Sequence, residues 1–350
     1  MCGREADYTR NQVLLRAFQK IGQVDVVVAP KYPKSLVIRS CLVAFRAVPK
    51  AISKLYDLVF VGFYGHLLML PIGLLCKRPI IFDAFVSTFD TLTSDRQTYA
   101  PNSTMGKLAF ALDRSACHLA DRVLVDTPAQ VEYFAKLLSL PPEQLSSLPV
   151  ACNEDIFFPR EKSTRSNNLL VLSYSTYLPI HGVETIIRSA KRLVDKPIQF
   201  RLIGDGPEYK ASTQLARALR LENITFIPPV SLTRLADEIA ASDVCLGGHF
   251  GTSDKATRVV PGKIYQMLAM RKPVIAADSL ANKTLLQHGI SAYLCSPGDP
   301  AALADAILQL QGNPLLRDRM GTAGREAYEN FGSEKVVLQG LQKLISELIN

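Results

Sequence analysis

A chain of 350 residues, 48% apolar and 21% charged, has the mix of a globular protein with room for two domains of ordinary size. Scattered Gly and Pro with no fixed period exclude collagen-like, low-complexity and solenoid architectures, and seven Cys without a Cys-x-x-Cys pair argue for reduced thiols over a zinc knuckle or disulfide framework. The net charge of +8 lies wholly in residues 1–82, with twelve Lys/Arg against four Asp/Glu; residues 83–350 carry twenty-eight of each.

The first residues, Met1–Asn11, contain Arg4, Glu5, Asp7 and Arg10 and lack the apolar core of a cleavable signal peptide. Tyr8–Asn11 reads as a loop leading into a helix over 12–21, so a strand ahead of that helix is missing from the pattern. Apolar, β-branched runs then predict strands at 24–29 (VDVVVA), 58–63, 79–85 and 122–126. The run Leu58–Cys76 is long enough to span a bilayer, but Gly62, Gly65, His66 and Pro71 split it into a strand, a turn and a short helix. Further strands are predicted at 169–173, 198–203, 224–227, 243–247 and 273–278, alternating with helices whose apolar stripes include Val183, Ile186, Ile187 and Ala190, and Leu303, Ala306, Ile307 and Leu310. This βαβ alternation predicts an α/β protein of two doubly wound parallel sheets. The expected divisions are an N-terminal domain over 1–158, a polar linker at 159–168, a second domain over 169–330, and a closing helix within 331–350 that packs back on the first domain.

Ligands of open parallel sheets bind beyond the carboxyl ends of the strands, where helix N-termini attract anions. After the strand at 169–173, Thr176, His181 and Gly182 precede a helix. After the strand at 243–247 a Gly-rich loop leads to Pro261-Gly262, which opens a helix beside Arg258 and Lys263, a combination suited to a diphosphate. Gln266 lies one turn further along the face of Lys263. The N-terminal charge suits an anionic lipid surface or an acidic substrate; no aromatic-interleaved basic motif or finger spacing points to nucleic acid.

The order and spacing of HGVETIIRSAKRL, FRLIGDGPEY, NITFIPPVSLTRLADEIAASDVCLG, RVVPGKIYQMLAMRKPVIAAD and YLCSPGDPAALADAI resemble the C-terminal domain of glycosyltransferase family 4, a retaining GT-B family. YTRNQVLLRAFQKIG, YDLVFVGF, RPIIFDAFVSTFDTL, LADRVLVDTPAQVEYF and LPVACNEDIFFP resemble its N-terminal domain. The resemblance implies two Rossmann-like domains facing across a cleft. It also implies a hexosyltransferase-type enzyme that moves sugar from a UDP- or GDP-sugar, held mainly by the C-terminal domain, to a glycan or lipid-linked acceptor. No cofactor or metal is implied, and the chain has no Asp-x-Asp pair. The diphosphate would be neutralised by side chains and helix N-termini, at the cytoplasmic side and with peripheral contact at the inner face of the membrane.

Where the family carries a Gly-Arg and Lys-Gly pair, this chain has Ser175-Thr176 and His181-Gly182; where it carries two glutamates, this chain has Arg258 and Gln266. The resemblance therefore assigns the diphosphate to Arg258, Lys263, His181 and Gly182, the ribose to Gln266, and the nucleobase to the backbone near Pro228, Pro229 and Val230. Asp83, where many relatives place a His, would orient the acceptor or stabilise oxocarbenium-like charge; the competing reading is an ion pair with a neighbour such as Arg96. His66 would line the same cleft. A non-catalytic nucleotide-sugar-binding scaffold and a nucleotide-sugar epimerase are the alternatives.

Overall fold

The computed structural model describes residues 8–30, 35–96, 98–161 and 167–349. The stretch ahead of the first helix, where the pattern lacks a strand, falls on residues 1–7, and half of the expected polar linker on 162–166, both outside the described residues. The chain forms two compact units, Met1–Ala151 with Glu334–Asn350, and Cys152–Ser333.

The first unit opens with helices α1 (Thr9–Ile21) and α2 (Leu36–Ala51). Strand β1 (Val59–Val61), helix α3 (His66–Leu75), strand β2 (Ile80–Phe85), a single turn α4 (Thr88–Asp90), helix α5 (Thr104–His118), strand β3 (Arg122–Val125), helix α6 (Pro128–Leu138) and strand β4 (Leu145–Ser147) follow. The sheet order is β1-β2-β3-β4, every pair parallel. Both faces are covered, as near-continuous apolar strands require: Ile80, Phe82 and Val123 sit in the core with α2, α3 and α5, while Ile81 and Leu124 face Val13 and Leu14 of α1. The last helix of the chain, α14 (Glu334–Ile349), shares that second face through Val337, Leu341 and Leu344, spaced so that one stripe is buried.

The expected strand at 24–29 is not one. These residues form no strand beyond a single bridge at Val28, and Val26 and Val28 are exposed. Asp25 is drawn away to Lys50 (2.6 Å) and Tyr56, and a cleft of about 690 Å³ is lined by Phe18, Ile21, Val24, Val27, Phe60 and Ile345 among others. Apolar alternation specifies a strand only when a ladder partner is available.

The second unit comprises β5 (Leu169–Ser175), α7 (Val183–Arg192), β6 (Ile198–Gly204), α8 (Tyr209–Ala218), β7 (Ile224–Ile227), α9 (Leu232–Ala241), β8 (Val244–Gly248), α10 (Asp254–Arg258), α11 (Gly262–Ala269), β9 (Val274–Ala277), β10 (Tyr293–Cys295), α12 (Pro300–Gln311) and α13 (Pro314–Phe331). Its order is β10-β9-β8-β5-β6-β7, again all parallel. The stripes of α7 and α12 named from sequence are buried in one cluster with β5 and β6. Because β5 is flanked by β6 on one side and β8 on the other, the connections leave in opposite directions there; that divergence is the topological switch point of a doubly wound sheet.

One buried ion pair ties the first unit together. The Arg10 guanidinium, fully buried in the first turn of α1, donates to Asp83 of β2 at 2.8 and 2.9 Å and to the carbonyls of Leu148 (2.7 Å) and Val125 (3.1 Å). Breaking such a pair leaves an uncompensated charge and stranded carbonyls. Arg10→Leu is expected to destabilise the protein by about 3–5 kcal/mol in urea unfolding; a loss below about 1 kcal/mol, the scale of an exposed pair, would contradict this account.

Candidate functional site

At the switch point two loops leave the carboxyl ends of β5 and β8. The first, Thr176–Gly182, lies against the second, His249–Ser253: the Gly251 amide donates to the Ile180 carbonyl at 3.1 Å. Gly182 makes this approach possible. At φ 62° it adopts the left-handed conformation, and a Cβ there would stand 2.3 Å from the Phe250 carbonyl carbon. Gly204 and Gly206, which end β6, pack on the Ser175 and Thr176 carbonyls, where a Cβ would lie 1.9 and 1.8 Å away. The Gly-Asp-Gly turn is thus a requirement of close backbone packing beside the site.

Around these loops the second unit gathers basic and imidazole groups. His181 and His249 stack with centroids 5.4 Å apart and planes 29° apart. The His181 Nδ1 accepts the Leu178 amide at 3.1 Å, which leaves the proton on Nε2 and makes the ring a neutral donor. Burial, reinforced by the nearby Lys263, lowers the basicity of both rings, and Lys255 adds to the effect on His249. Lys263, in the first turn of α11, is partly buried, and its ammonium sits 5.7 Å from the Tyr174 ring centroid. No carboxylate lies within ion-pair distance of it among the described residues. Desolvation lowers its amine to about 7. Arg258, at the end of α10, is buried, and its guanidinium meets the exposed carboxylate of Asp254 at 3.1 Å.

Arg258, Lys263, His181 and Gly182 therefore belong to one loop cluster at the carboxyl end of a parallel sheet. Gln266 is part of it: its Oε1 accepts the Tyr174 hydroxyl at 2.6 Å, which orients the side-chain amide. Pro228 and Pro229, exposed, and Val230 follow β7 on the same edge of the sheet, one strand beyond β6. The cluster can bind an anion: Lys263, Arg258, the His181 donor and the N-terminus of α11 lie at one edge of the sheet, and no acid among the described residues opposes Lys263. Sequence reasoning passed over His249 and Tyr174. Position carried the signal for both, His249 directly after β8 and Tyr174 near the end of β5.

The residues expected on the acceptor side lie in the first unit and have other partners. Both carboxylate oxygens of Asp83 are engaged by Arg10, 73 positions away and not by Arg96; burial pushes this carboxyl up while the guanidinium opposes it. His66 is buried with its Nε2 3.5 Å from Asp113 and its ring edge-on to Phe82 at 5.0 Å; burial lowers its basicity despite Asp113. Asp113 in turn accepts the Ser87 hydroxyl at 2.6 Å.

Because Lys263 is protonated in full only below about pH 7 when the site is empty, an anion that favours the ammonium must bind with proton uptake. UDP affinity is expected to be flat below pH 7 and to fall by up to about tenfold per unit above it in calorimetric titrations, with proton uptake seen as buffer-dependent heat. The unfolded chain binds more protons at this amine than the folded one between pH 7 and 10, so the group costs stability at neutral pH and below. Lys263→Met should raise stability at pH 7 by about 0.5–2 kcal/mol while weakening UDP.

Residues 167–313 match the family model described as Glycosyl transferases group 1. Among curated proteins, the chain is 28% identical over 183 residues to N-acetyl-alpha-D-glucosaminyl L-malate synthase of Bacillus anthracis, covering 51% of this chain and 46% of that one. It is 30% identical over 142 residues to phosphatidyl-myo-inositol mannosyltransferase of Mycobacterium leprae, covering 41% and 36%. The chain thus spans half or less of these two relatives. Sucrose-phosphate synthase of Thermosynechococcus elongatus is similar in structure, with a TM-score of 0.75 at 16% identity over 97% of this chain and 92% of that one. Anabaena HepE, solved with UDP-glucose, gives 0.68 at 18% identity over 87% and 82%. At these identities the likeness establishes the fold, which is GT-B. Residues 167–313 are thus similar to the group 1 glycosyltransferases, and the chain has their kind of fold.

Proposed function

We propose that the protein transfers a sugar from a nucleotide diphosphate sugar, UDP- or GDP-linked, to a lipid-linked or polysaccharide acceptor. The observation that carries this reading is the Lys263–Arg258 pair, seated with His181 and His249 at the switch point, where Lys263 faces no carboxylate among the described residues. A diphosphate supplies the charge this cluster lacks. UDP and UDP-glucose are the ligands named for HepE, and the two curated relatives are named as a glucosaminyl malate synthase and a phosphatidyl-myo-inositol mannosyltransferase. In this reading the bond between the anomeric carbon and the β-phosphate oxygen breaks as the acceptor oxygen bonds to the same face of that carbon. The acceptor proton passes to the departing phosphate oxygen, giving retention. Arg258, Lys263 and the α11 amides stabilise the negative charge that grows on the leaving group, the role a metal ion plays in other designs. Gln266, held by Tyr174, presents its amide to the ribose hydroxyls.

The engagement of Asp83 by Arg10 removes an accessible carboxylate from the first unit, which favours a second reading, a scaffold that binds nucleotide sugar without turning it over. Nucleotide release separates the two. Incubation with UDP-glucose, UDP-N-acetylglucosamine and GDP-mannose, with and without lipid-linked acceptors, should liberate UDP or GDP from at least one pair. Arg258→Ala and Lys263→Ala are each expected to lower kcat/KM by about 10²–10³ with the fold intact. Tight donor binding without release for every pair would establish the scaffold, and donor binding unchanged in both variants would remove the diphosphate assignment.

A further inference from the structure

We infer that the outward face of α2 docks the protein on an anionic lipid surface. The helix is apolar on two sides. Its inner side, Ser40, Val43, Ala47 and Ala51, is buried in the core of the first unit. Its outer side is a second stripe at helical spacing, Ile38, Leu42, Phe45 and Pro49, continued by Ile52 just past the last turn; Phe45 is 82% exposed. A soluble surface helix would carry polar residues there. Leu55, 86% exposed, follows in the next turn, and α3, which packs beside α2, adds exposed Leu74 and Leu75. Such an accumulation of large exposed apolar groups marks an interaction surface.

Charge decides the partner. Arg39, Arg46 and Lys50 follow one another at spacings of seven and four, which places them along one border of the outer stripe, where Lys50 is paired with Asp25 and Arg46 is exposed. Arg78 donates to the Lys54 backbone carbonyl at 3.3 Å, which brings its guanidinium to the segment just beyond the C-terminal end of α2, next to Lys77 in sequence. Residues 35–82 hold six Lys/Arg and a single acid, Asp57. An apolar stripe bordered by Lys and Arg is the pattern of a helix lying in a membrane interface, its ring and branched side chains inserted among acyl chains and its cations at the headgroups. A second copy would bring the same basic border against itself, whereas an anionic leaflet complements it. No helix among the described residues is long and apolar enough to cross a membrane; the contact inferred is peripheral. This inference goes beyond the transfer reaction and does not depend on which sugar is moved.

The test is flotation of the full chain with phosphatidylcholine vesicles, with and without phosphatidylglycerol, in the absence of donor and acceptor, so that failure of the transferase reading leaves it untouched. Binding is expected to be at least about tenfold stronger to the anionic vesicles and to weaken as salt is raised. Phe45→Asp and Leu55→Asp, both at exposed positions that leave the core intact, should each reduce it about tenfold or more, Arg46→Ala about fivefold, and the exposed Leu280→Asp in the second unit not at all. Equal binding to both vesicle types, no binding to either, or binding unaffected by Phe45→Asp and Leu55→Asp would overturn the inference. A concentration-dependent dimer that Phe45→Asp dissolves, without vesicle binding, would assign the face to a second copy instead.

Discussion

The proposed chemistry depends on a cationic side chain held at a place where water is scarce and no acid is near. Lys263 is not a strong charge in the empty protein, because desolvation moves its amine to about 7. Its surroundings keep it so: neutral His181 and His249 stack beside it, Tyr174 offers a ring face, and Arg258 supplies a second cation. A site built this way penalises its own empty state and is relieved by an anion. The burden falls on the rest of the second unit, whose packed core holds the loops in place at the cost that like charges impose.

That core needs backbones at unusually close approach. Gly182, Gly204 and Gly206 let three connections at the carboxyl edge of β5, β6 and β8 touch through their main chains, and the connections leaving the parallel strands β5 and β8 in opposite directions give the cluster an opening. The first unit is organised by a different device. There the Arg10–Asp83 pair joins α1, β2 and the carbonyls after β3 and β4 at one buried point, while α14, from the other end of the chain, completes the layer that α1 begins.

Much of this was legible in the sequence. Apolar runs covered on both faces identified eight of the ten strands among the described residues, and the loops after β5 and β8 pointed to the proposed anion site because strand ends are where parallel sheets bind ligands. What escaped was information carried by distant partners. VDVVVA at 24–29 has the pattern of a strand but no ladder, while β4 (LSS) and β10 (YLC) form ladders with three residues of weak pattern. Asp83 looked available because its partner is 73 residues away, and His249 was overlooked inside a Gly-rich stretch until β8 ended directly before it. Periodicity reports which face is buried; it does not report which neighbour will be there.

The shifted amine of Lys263 also gives the protein a chemical handle. An uncharged primary amine is a nucleophile, and at neutral pH most other lysines are protonated and inert. Lys263 would therefore be acylated or reductively alkylated ahead of the rest of the surface, and a nucleotide seated against it would shield it. Occupancy of the proposed site can in this way be read from the labelling of one residue, whatever ligand it takes.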